Sequence, residues 1–97
     1  MPIKIQPYFE LQVNEPKMHL VSVLSYEHVS WEFCMRILTQ VFHKSYEDAK
    51  TITHEIQTRG EGLCGGYMFE IAESKAETVE KLAEKENFTV QCLIEKV

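Results

Sequence analysis

From Ser30 to Gly62 the apolar residues recur in two blocks of helical period, each opened by a serine. This pair of one-sided helices constrains everything around it, because each needs an apolar partner to bury its stripe. In the first block Ser30 is placed to cap the helix, and Trp31, Cys34, Ile37, Leu38, Val41 and Phe42 fall on one face. His43 and Lys44 suit the negative end of that helix. Ser45 opens the second block, with Asp48 in the capping-box position. Ala49, Ile52, Thr53 and Ile56 form its inner stripe, and Gly60 and Gly62 end it.

The flanking segments read as strands. His19 to Leu24 is short and rich in β-branched residues. Ser25 to Val29 interrupts that pattern as a loop. Leu63 to Ile71 reads as a second strand, in which the pair Gly65 and Gly66 signals a bulge or a close backbone approach. Ala72, Ala76, Val79, Leu82 and Ala83 mark a third helix, with Ser74 and Glu77 as a capping box and Glu77 paired with Lys81. Asn87 is an end signal, and Phe88 to Ile94 is the last strand. The expected fold is a two-layer α+β sandwich. Three short antiparallel strands carry three helices on one side, in the order β-α-α-β-α-β.

A chain of 97 residues holds one such domain and can bury a core without staples. We place the core domain at 18–97. Residues 1–17 contain all three prolines and read as a flexible arm, with Tyr8, Phe9, Leu11 and Val13 as its sticky positions. Whether this arm is disordered, lies on a partner or folds back is open at this level. The N-terminus lacks the apolar stretch of a secretory signal, and no apolar run approaches the ~20 residues of a membrane span. The expected location is the cytoplasm, with no membrane partner. Cys34, Cys64 and Cys92 are too few and too irregularly spaced for a disulfide framework and suit reduced core positions. A net charge of −5 does not suit a nucleic-acid binder.

No pattern of catalysis emerges. The histidines His19, His28, His43 and His54 have no partner at zinc-ligand spacing, so no metal is expected. The glycine pairs lack the Lys-Ser/Thr of a phosphate loop, and no cofactor is implied. Cys64 lies in an apolar segment with no basic neighbour to hold a thiolate. The glutamates at 73, 77, 80, 84 and 86 alternate with lysines as a solvated face does. One surface draws a functional reading: the loop Ser25-Tyr26-Glu27-His28 beside Trp31 is suited to a pocket rim, or Trp31 simply anchors the first helix to the core. The chain reads as a protein-binding domain without catalytic residues.

From Pro16 onward the sequence resembles the Clp protease adaptor family, ClpS. The resemblance rests on Trp31-Glu32-Phe33, Ile37-Leu38, Val41-Phe42-His43, Leu63-Cys64-Gly65-Gly66-Tyr67, Glu70-Ile71-Ala72-Glu73-Ser74-Lys75 and the closing Cys92-Leu93-Ile94-Glu95-Lys96-Val97. It implies an adaptor that docks on the N-terminal domain of a ClpA-type AAA+ unfoldase and delivers proteins whose first residue is bulky and apolar. It implies unfoldase docking through the positions of Glu70 and Lys75, and substrate handover through the arm.

The resemblance also maps a substrate pocket, with altered residues. Where the family carries an Asn-Asp-Asp loop and a helical histidine that accept hydrogen bonds from the substrate's α-amino group, this chain has Ser25, Tyr26, Glu27 and Gln57. The apolar lining maps to Val29, Trp31, Cys34, Thr53, Ile56 and Val90, with Trp31 replacing a gatekeeping methionine. Trp31 could fill the pocket and admit only a smaller side chain, or stack on an aromatic one. The alternative function is an unfoldase-binding modulator that has lost N-terminal recognition.

Overall fold

The serines do what their positions promise. Ser30 Oγ accepts the Phe33 N–H at 3.1 Å and Ser45 Oγ accepts the Asp48 N–H at 3.1 Å, each satisfying a donor that a helix start leaves orphaned. The computed structural model describes residues 18–97, so the arm at 1–17 lies outside the described residues. The elements are β1 (Met18–Ser25), α1 (Trp31–Gln40), α2 (Tyr46–Arg59), β2 (Glu61–Met68), α3 (Phe69–Lys85) and β3 (Val90–Lys96). This is the expected β-α-α-β-α-β order. The sheet runs β2-β1-β3, and β1 pairs antiparallel with both neighbours.

Val21 and Val23 of the central strand point into the core with Phe33, Ile37, Leu38 and Val79, all at most 1% exposed. Strand alternation turns Leu20, Ser22 and Leu24 to the opposite face. The register between β1 and β2 shifts at Val21/Ser22, so the expected bulge falls at Cys64-Gly65. Gly65 has φ 153°, and a side chain there would meet the Tyr67 hydroxyl at 2.8 Å.

Several boundaries differ from the sequence reading; β3, for one, runs from Val90 to Lys96 and not from Phe88 to Ile94. Gly60 alone ends α2, with φ 84° and its N–H on the Ile56 carbonyl at 3.0 Å. Gly62 belongs to β2, where Ile52 and Ile56 of α2 press on it. Phe69, Glu70 and Ile71 are the first turn of α3, not the end of a strand, and that helix starts after Met68 with no side-chain cap. Ser74 therefore sits inside the helix, where its carbonyl accepts the Thr78 hydroxyl at 2.9 Å. The other end of α3 follows the sequence signal. Asn87 has φ 64°, the Phe88 N–H reaches the Ala83 carbonyl at 2.8 Å, and the Asn87 N–H reaches the Glu84 carbonyl at 3.2 Å. Arg36 of α1 grips Glu86 just past this helix through both guanidinium nitrogens.

Candidate functional site

The loop from β1 to α1 is fastened at both ends to the close of α2. The Ser25 N–H donates to the Gly60 carbonyl at 2.8 Å, and the Ser25 hydroxyl donates to the Glu27 carbonyl at 2.5 Å, which folds the loop back on itself. At the far end Gln57 Nε2 donates to the Val29 carbonyl. That acceptor fixes the orientation of the amide, because only the NH2 side can face a carbonyl oxygen, and Gln57 Oε1, an acceptor, has no hydrogen-bond donor among the described residues.

Between these ties lies a cavity of about 230 Å³. Its mouth is polar, formed by Ser25, Tyr26, Glu27, His28 and Gln57, and its floor is Val29 and Ile56. Glu27 supplies the full negative charge, while the Ser25 hydroxyl oxygen and Gln57 Oε1 add neutral acceptors. This is a set suited to a small cationic group beside an apolar one. All four positions mapped to α-amino binding therefore line one cavity. His28, read from the sequence as part of a pocket rim but not among the α-amino-binding positions, joins them.

The apolar positions divide. Val29 and Ile56, each 3% exposed, form the floor. Cys34, Thr53 and Val90 are buried at 1%, 0% and 7% and pack behind it, with Thr53 Oγ1 on Met35 Sδ at 3.4 Å. Trp31 neither fills nor caps this cavity. It is 44% exposed and borders a separate shallow depression with Lys50, Thr51, His54 and Glu55 on α2.

Glu70 and Lys75 are not brought together either. Five residues apart on α3, they point about 140° away from each other around the axis. Glu70 is exposed and lines a groove beside β3 with Glu73, Glu77 and Glu80. Lys75 turns the other way, donating to the Val41 carbonyl at 2.6 Å and lying 5.2 Å from the Tyr67 ring centre. Val41 is the C-cap of α1, which has no basic residue in its own last turn, so Lys75 brings a cation to that negative end. Phe69 and Ile71, at 46% and 45% exposure, flank Glu70. The sequence reading had spent both on a strand.

The thiols are chemically quiet. Burial pushes Cys34 up to about 11 and Cys64 and Cys92 up to about 12, so all three stay protonated at neutral pH. Among the described residues no helix is long and apolar enough to cross a membrane.

Comparison with known proteins agrees with this architecture. The family model described as "ATP-dependent Clp protease adaptor protein ClpS" matches residues 14–93. The ClpS adapter protein of Helicobacter hepaticus is 34% identical over 85 residues, covering 88% of this chain and 86% of its own length. That of Campylobacter jejuni subsp. doylei is 35% identical over 94 residues, covering 97% and 98%. In fold the chain is similar to Agrobacterium tumefaciens ClpS2, solved bound to L-phenylalaninamide. The TM-score is 0.77 at 23% identity, covering 86% of this chain and 100% of that one. The order and antiparallel pairing of the strands, the capped helices and the match across most of the chain lead to one conclusion: the chain belongs to the ClpS family of ATP-dependent Clp protease adaptors.

Proposed function

We propose that this adaptor delivers proteins with bulky apolar N-terminal residues to a ClpA-type unfoldase in the cytoplasm. In this reading the substrate's α-ammonium group sits in the mouth formed by Ser25, Glu27 and Gln57. The observation that carries it is the convergence of those three acceptors over an apolar floor. An ammonium group needs acceptors, and each charge-assisted hydrogen bond is worth roughly 1.5–3 kcal/mol. The ligand of the Agrobacterium relative has the same two features, a free α-amino group and an apolar side chain. Because Cys34, Thr53 and Val90 close the space behind Val29 and Ile56, a first residue of Leu size suits the site better than Trp. Docking on the N-terminal domain of the unfoldase is assigned to the start of α3, where exposed Glu70 lies between exposed Phe69 and Ile71.

The test is fluorescence anisotropy with labelled peptides that differ only in the first residue: Leu, Phe, Tyr, Trp, Arg and Ala, plus an N-acetylated Leu control. Micromolar or tighter binding that acetylation abolishes supports the reading. Equal binding of free and acetylated peptides, or none to any free N-terminus, overturns it. The second outcome would leave unfoldase binding as the chain's role, to be measured separately by titrating the unfoldase N-terminal domain.

A further inference from the structure

Trp31 opens α1 with 44% of its surface exposed, and among the described residues no aromatic ring pairs with it. It borders the depression shared with Lys50, Thr51, His54 and Glu55 of α2, a hollow of about 410 Å³. The Lys50 ammonium is drawn to the Tyr46 ring, 5.6 Å from its centre, and Tyr46 lies outside this hollow. What the depression offers is therefore chiefly an exposed indole, the kind of side chain that anchors a bound chain.

The depression lies beside the cavity at Ser25 and Gln57. His54 precedes Gln57 by three residues on α2, which places it on the same side of the helix at a rise of about 4.5 Å. Trp31 follows Val29, whose carbonyl Gln57 holds, by two residues. The two hollows thus share the seam between α2 and the start of α1. At its other end the cavity is walled off where the Ser25 N–H meets the Gly60 carbonyl. A chain whose first residue sits in the cavity leaves along α2, on the side of His54 and Trp31.

We propose that the depression at Trp31 receives the third side chain of a bound N-terminal segment and favours an aromatic or large aliphatic residue there. This rests on the function proposed above. In extended chain successive side chains point to opposite sides, so residues 1 and 3 face the same surface and residue 2 faces water. Residue 3 lies about 6.6 Å beyond residue 1, close to the one-turn step from Gln57 to His54. A second copy of the chain is the weaker occupant, because five lining residues fall short of the roughly 20–30 per side of a stable protein interface. Trp31 then sets specificity at residue 3 of the substrate and leaves residue 1 to the cavity.

The experiment is fluorescence anisotropy with labelled peptides that begin Leu-Ala-Ala, Leu-Ala-Phe or Leu-Phe-Ala and share the same tail. Leu-Ala-Phe should bind about tenfold tighter than Leu-Ala-Ala, and Leu-Phe-Ala should gain nothing. Trp31→Ala should remove that gain, with its fold checked by circular dichroism. His54→Asp, at an exposed position of α2, puts a carboxylate into the same hollow and should also cut the gain, which keeps the test available should Trp31→Ala fail to fold. Equal binding of Leu-Ala-Ala and Leu-Ala-Phe, a gain at residue 2 instead, or a gain unmoved by these variants would overturn the proposal and leave N-terminal recognition standing. Binding of none of the three peptides would overturn the proposed function and this inference together.

Discussion

Gln57, near the end of α2, donates its side-chain amide to the backbone carbonyl of Val29, the last residue before the Ser30 cap of α1. One side chain thus sets the distance between the helix and the loop that together form the cavity. Gln57→Leu keeps much of the volume and removes both the donor and the acceptor. It should cost about 1 kcal/mol of stability by urea titration. In the proposed function it should also weaken binding of free N-termini about tenfold, by the loss of one charge-assisted acceptor. An unchanged peptide affinity at the expected stability loss would remove Gln57 from the recognition site.

The opposite orientations of Glu70 and Lys75 separate two effects that the sequence would merge. Glu70→Lys should weaken unfoldase binding about tenfold and leave the melting temperature unchanged. Lys75→Ala should instead lower stability by about 1 kcal/mol, because the Val41 carbonyl and the end of α1 lose their cation. Titration calorimetry and thermal melts of the two variants check this. A binding loss at Lys75→Ala with no change in melting would make it a contact residue.

Gly62→Ala should destabilise the domain by about 1–3 kcal/mol through overpacking. The new methyl would lie 2.9 Å from Ile52 Cγ2 and from Ile56 Cγ1, and 3.1 Å from the Ile52 carbonyl. Since Ile56 is also the cavity floor, peptide affinity should fall with it. Chemical denaturation of the purified variant gives the first quantity and anisotropy the second.

Cys64 makes a prediction about alkaline pH. Its thiol is pushed up to about 12, first by burial and then by Cys92, against an ordinary value near 8.5. A raised folded value means that the native state holds a proton the unfolded state releases. The associated stability is complete below about pH 8.5 and declines as pH rises toward 12, by up to about 1.4 kcal/mol per pH unit. Cys64→Ala should flatten that decline in denaturation curves between pH 8 and 10. At pH 8 an aromatic disulfide reagent should label the native thiols far more slowly than those of the urea-unfolded chain.

What could be read from sequence followed the strength of local signals. α1 and α2 were legible because helical spacing coincided with Ser30 and Ser45, and both caps form. The end of α3 was legible because Asn87 is among the few residues that accept positive φ easily. The start of α3 was not, because Met68 caps nothing with its side chain and the apolar Phe69 and Ile71 mimic strand alternation. Ser74 then offered a false start inside the helix. The cavity depends on residues from two parts of the chain, Ser25 to Val29 and Ile56 to Gly60, and no local pattern connects them; family resemblance did. Trp31 was misleading in a different way. Its size suggested a gate, but its position at the first turn of α1 directs it onto α2 beside Lys50 and His54.

The short backbone bond from the Ser25 amide to the Gly60 carbonyl ties the candidate site to the assembled fold. The mouth of the cavity has no existence in β1 or in α2 alone, since it appears only when the two are latched. A copy still being synthesised, or one whose helices have come away from the sheet, presents separate polar side chains and no receptacle. In the proposed function, the capacity to hold a free N-terminus therefore depends on completion of the fold.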